Sequence, residues 1–115
     1  MHLPPVHVAI IAFRGTRPLA AAIGRAYQNV QEWARPVAAG GRDGEFPNPV
    51  IMRQVYQAAQ ERGLRLELAE LFFGKDLTPE DAAKLRQAMP QHPWAWYRQL
   101  PAPEPTPSPA PRRGR

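Results

Sequence analysis

Few side chains in this sequence have the types and spacing that covalent or acid–base chemistry needs. His2, His7 and His92 lack the spacing of a metal site. Glu67, Glu70, Glu80 and Asp81 read as a solvated face and a helix cap, not as paired catalytic carboxylates. The Gly40-Gly41-Arg42-Asp43-Gly44 run is glycine-rich but has neither the lysine nor the strand context of a phosphate loop. There is no cysteine, so disulfides and thiolate metal sites are excluded, and no Ser-His-Asp or Cys-His arrangement is available. The expectation is a protein that is not an enzyme and takes no cofactor and no metal. What remains is positive charge, almost all of it arginine. The formal net charge is +5, and the stretch from Met1 to Arg42 holds five arginines against one glutamate. That balance favours a polyanionic partner.

The elements that must position those arginines are short. At 115 residues, 43% of them hydrophobic, there is room for one small domain. The 15 prolines gather in the connections and in the last fifteen residues. Val6 to Phe13 is an apolar run interrupted by His7, a short helix or a buried strand by its pattern. Thr16 reads as an N-cap, with Pro18 in the first turn, opening an alanine-rich helix that Gly24 stops. A further helix spans 26–35, with Val30 and Trp33 on its inner face, and Pro36 ends it. Residues 37–46 read as an exposed loop. Asn48 caps another helix with Pro49 at its first position and Gly63 at its end. Leu64 to Phe73 is ambiguous: Leu64, Leu66 and Leu68 alternate, whereas Leu68, Leu71 and Phe72 recur at helical spacing. A fifth helix from near Leu66 is favoured, because no partner strand is evident. Thr78-Pro79-Glu80-Asp81 starts a last helix with a capping-box-like acid. The aromatic cluster of Trp94, Trp96 and Tyr97 either folds back on the core or forms a docking surface. From Pro101 the sequence PAPEPTPSPAPRRGR is expected to be disordered or polyproline-like, with a basic tip.

Two short helices joined by a tight glycine turn are what a DNA-reading helix-turn-helix requires. The small Ala20 sits four residues before Gly24, Ile23 immediately before it, Val30 six after and Trp33 nine after. Each has the residue type that lets two helices approach and pack.

The stretch TRPLAAAIGRAYQNVQEWAR, Thr16 to Arg35, resembles the helix-turn-helix of phage repressor and Cro/CI-type regulators, the XRE-like family. The resemblance spans about residues 6–73 once the supporting helices are counted. It implies an all-α, lambda-repressor-like domain of five or six short helices, with residues 4–74 as the DNA-binding domain, 75–100 as a C-terminal helix and aromatic segment, and 101–115 as the tail. It further implies that the 26–35 helix enters the major groove N-terminal end first. Carried over by position, Ala26, Tyr27, Gln28, Gln31, Glu32 and Arg35 face solvent, and Tyr27, Gln28, Gln31, Glu32 and Arg35 are the base-reading candidates. Gln28 and Gln31 suit adenine, Arg35 suits guanine or phosphate, Glu32 suits cytosine N4, and Tyr27 suits a phosphate or a thymine methyl. Arg17, Arg25 and Arg42 are the phosphate-contacting candidates. The 37–46 loop departs from the family pattern by its length, as a small wing or an insertion.

The function that follows is a sequence-specific regulator of transcription, of phage or bacterial type, binding double-stranded DNA as a homodimer. With no sensor module, it would act by occupying its site or by touching RNA polymerase or another regulator. The alternative is an interaction adaptor or inhibitor that keeps the scaffold and docks through Trp94 to Tyr97. No secretory signal or membrane-length apolar run is evident, so the expected location is the cytoplasm, on the nucleoid.

Overall fold

Three of the helices begin at a proline, a residue that loses no intrahelical hydrogen bond in the first turn. In the computed structural model, which describes residues 1–90, α1 spans Pro5–Ala12, α2 Thr16–Ala22, α3 Tyr27–Ala34, α4 Pro49–Glu61, α5 Glu70–Phe73 and α6 Pro79–Ala88. Asn48 caps α4 by accepting from the Ile51 N–H at 3.0 Å, and Thr78 caps α6 by accepting from the Asp81 N–H at 3.1 Å. These are two of the three caps expected from the sequence.

The Val6 to Phe13 run resolves as helix. Pro5 to Ile10 are all buried, so α1 has no polar face and takes the centre of the bundle. It packs against α2, α3 and α5, while α2 also packs on α3 and α4. Leu3, Val6, Ile10, Leu19, Val30, Ile51, Val55 and Leu71 fill the space between them. Trp33 and Phe46 meet edge to face, with ring centroids 6.1 Å apart.

Two expectations are corrected. The helix placed from near Leu66 is only the single turn of α5, and residues 64–67 are neither helix nor strand. The Glu70 carboxylate accepts the Glu67 N–H at 3.0 Å, which fixes the start of that turn. Leu66 and Leu71 are buried, but Leu68, Phe72 and Phe73 face solvent, so neither proposed leucine stripe forms. The fold is also not purely helical. Strand β1, His2–Leu3, pairs antiparallel with β2, Lys75–Asp76, in the register His2 opposite Asp76 and Leu3 opposite Lys75. His2 Nδ1 lies 2.7 Å from an Asp76 carboxylate oxygen across this pair. The result is a small, mostly helical domain. None of its helices is long and apolar enough to cross a membrane among the described residues.

Candidate nucleic-acid interface

The α2–turn–α3 unit is built by a backbone device at Gly24. The Gly24 N–H donates to the Ala21 carbonyl at 3.3 Å and the Arg25 N–H to the Ala20 carbonyl at 2.9 Å. This paired closure needs a left-handed residue, and Gly24 has φ +68°. Helices α2 and α3 pack together, and Ala20 on the first and Val30 and Trp33 on the second are all buried. Ile23, expected in the core, is half-buried. The expected Thr16 cap is not formed. Gly15 holds the N-cap position without a side-chain bond, and Thr16 is the first helical residue, because the helix opens one residue early, with the Leu19 N–H donating to the Gly15 carbonyl at 3.3 Å.

At 100° per residue the buried Val30, Trp33 and Ala34 define the inner face of α3. Gln28 and Glu32, one turn apart, centre the outer face and are exposed, as is Asn29 beside them. Ala26 and Arg35, assigned to the ends of this helix from the sequence, are extended residues flanking it. Ala26 is exposed, while Tyr27, Gln31 and Arg35 are half-buried and so less open than expected. Tyr27 turns toward α2, where the Arg17 guanidinium stacks over its ring at 4.0 Å from the centroid. A stacked guanidinium still directs its N–H groups outward in its own plane, so Arg17 stays able to meet an anion. Arg25 and Arg42 are exposed, the first just before α3 and the second in the loop after it.

The 37–46 loop is neither a free wing nor an idle insertion. It begins with a short 3-10 turn, Val37–Ala39, and then closes over the C-terminal end of α3. Helix C-termini leave carbonyls without intrahelical partners, and here each is taken. The Trp33 carbonyl accepts from Gly44 N–H at 2.8 Å and the Arg35 carbonyl from Asp43 N–H at 2.8 Å. The Ala34 carbonyl accepts from His7 Nε2 at 2.9 Å, which fixes the proton on that nitrogen. Asp43 also accepts the Val37 N–H at 2.8 Å, and Gly44 accepts the Val6 N–H at 2.8 Å. Gly44 and Phe46 are buried, so the part of the loop nearest the core is not exposed as expected.

Comparison of the chain with protein-family models, curated proteins and solved structures gives no match.

The geometry adds two residues that the sequence reading missed. Asn29 adds a second exposed amide next to Gln28. Its signal was weak, since at 100° per residue it lies on the flank of α3, between the buried Val30–Trp33–Ala34 face and the outer face centred on Gln28 and Glu32. Arg14 shares a cleft of about 590 Å³ with Arg17, Tyr27 and Gln31, beside Met89 and Pro90. Nothing in the sequence places Arg14 there; the α1–α2 corner does. Among the described residues no group of three His, Asp or Glu side chains could hold a metal ion. Trp94, Trp96 and Tyr97, with the tail after them, lie outside the described residues.

Proposed function

We propose that the chain binds double-stranded DNA in the major groove through α3 and regulates transcription from the bound site. The observation that supports it best is the outer face of α3. It presents Gln28, Asn29 and Glu32 to solvent beyond a Gly24-closed turn, with Arg17 and Arg25 at the leading end. Amides pair with adenine edges and arginines with phosphates, so one surface carries both the sequence-reading and the positioning groups. A dimer on two half-sites one helical turn apart is the expected arrangement.

The test is selection of binding sites from random duplex DNA by the purified full-length protein. A recovered motif that Gln28→Ala/Gln31→Ala loses supports reading by α3. Arg17→Ala and Arg25→Ala should weaken all sequences alike, each flattening the log–log salt slope by about 1. If no motif emerges, a protein-interaction module becomes the better reading. The solvent-facing Leu68, Phe72 and Phe73 favour that second reading, as exposed aromatics often mark protein contacts.

A further inference from the structure

Away from α3, on the other side of α1, a cavity of about 390 Å³ opens between α1, β2 and α6. Its volume falls in the range of small-molecule sites, about 300–1,000 Å³. Leu3, Val8, Ile11 and Leu85 supply an apolar floor, and Ile11 and Leu85 are only half-buried, so apolar surface is left open to a guest. The rim is charged and its charges are unequal. Lys75 is offset by Glu70, 3.8 Å away. Asp81 lies in the first turn of α6, where the helix dipole favours a carboxylate. Arg65 and Lys84, also on the rim, have no ion-pair partner among the described residues.

We propose that this cavity binds a small amphipathic carboxylate, with its hydrocarbon on the Leu3–Val8–Ile11–Leu85 floor and its anionic head between Arg65 and Lys84. An apolar body gains from covering the half-buried floor, and a carboxylate gains from two cations that have no ion-pair partner among the described residues. A cationic or neutral amphiphile of the same length would gain only the first.

The experiment is isothermal titration of the full-length protein with octanoate, octanol and octylammonium at equal, non-micellar concentrations. Octanoate should bind saturably at one site, and octylammonium about tenfold more weakly or not at all. Arg65→Ala/Lys84→Ala should weaken octanoate about tenfold and leave octanol unchanged. Ala12→Phe, placed on the cavity wall, should block both while unfolding stays cooperative. Absence of saturable octanoate binding by the folded protein would overturn the assignment. So would equal affinity for all three amphiphiles, or an Arg65→Ala/Lys84→Ala variant that binds octanoate as tightly as the parent. No DNA is used, so failure here leaves the reading of α3 standing and is distinguishable from its failure.

Discussion

Gly44→Ala should unfold the domain far more readily than Gly24→Ala, although both glycines hold left-handed backbone, at φ +85° and +68°. An L-residue in that region costs about 1–2 kcal/mol, partly offset by about 0.4–1 kcal/mol through the stiffer unfolded chain. For Gly24 the ledger ends there, because a methyl would meet nothing within 4 Å, and the expected loss is about 1 kcal/mol. At Gly44 the same methyl would lie 2.4 Å from Pro4 Cβ and 3.0 Å from His7 Cδ2. Carbon atoms pack at about 3.5–4.0 Å, so the loop or the start of α1 must move by about an ångström. That motion strains the Gly44–Trp33 and Val6–Gly44 hydrogen bonds, each worth about 1 kcal/mol. Added to the backbone cost, the loss reaches about 3 kcal/mol. Urea unfolding of the full-length protein, followed by far-UV circular dichroism, measures both variants against the parent. The two should differ by about 2 kcal/mol in unfolding free energy, which in a domain of this size corresponds to about 8–16 °C in melting temperature by a thermal scan. Equal destabilisation would refute the view that the 37–46 loop is a fixed cap joining α1 to α3.

Other substitutions test neighbouring parts of the same reasoning. His7→Leu removes the donor to the Ala34 carbonyl in a fully buried setting and should cost about 2 kcal/mol in urea titration. His7→Gln, whose amide nitrogen can occupy the place of Nε2, should cost less. Arg14 sits at φ +65° at the end of α1, a conformation glycine holds without a Cβ penalty; Arg14→Gly should raise stability by about 0.5 kcal/mol, seen as a higher urea midpoint. Asn48→Ala removes the α4 cap and should cost about 1 kcal/mol in the same titration. Under the proposed function, Glu32→Gln removes an exposed carboxylate from the middle of the reading face. Affinity for duplex DNA by fluorescence anisotropy should then rise about threefold or more at low salt, and the gain should shrink as salt rises.

What the sequence made legible was decided within a few residues. Asn48-Pro49 and Thr78-Pro79 each carry a side-chain acceptor next to a pre-set φ, so the cap forms wherever the chain goes. Gly24 likewise stops α2 through bonds to Ala20 and Ala21 alone. The inner face of α3 followed from the three-residue step between Val30 and Trp33. The segments that misled were decided at a distance. In residues 64–73 the alternating leucines and the helix-forming glutamates pull in different directions. The outcome depends on burying Leu66 and Leu71 rather than on either pattern. The 37–46 loop looks free because its glycines and charges are local turn signals. Its partner on α1, Val6, lies far back along the chain, and His7 beside it meets Ala34 on α3 across 27 residues. Seen in sequence, His7 only interrupts an apolar run; in the fold its one polar edge is what α3 needs there.

That asymmetry bears on how α3 would work. Its C-terminal carbonyls are committed to His7, Asp43 and Gly44, so this end is held on three sides by α1 and the loop. Its N-terminal end has no side-chain cap and is flanked by the exposed Arg25 and Ala26, with Arg17 stacked on Tyr27 beside it. A groove-reading helix needs that polarity. The end that enters must be open and lined with donors, while the other end must be fixed so that binding does not spend its energy on ordering the helix. An interaction module that merely inherited the scaffold would have no use for an open N-terminal end. Its selective loss of function would follow from mutating the apolar patch of Leu68, Phe72 and Phe73 instead. The N-terminal end of α3 and the exposed turn of α5 therefore separate the readings: charge changes at Arg17 and Arg25 should govern the first, and changes at Phe72 and Phe73 the second.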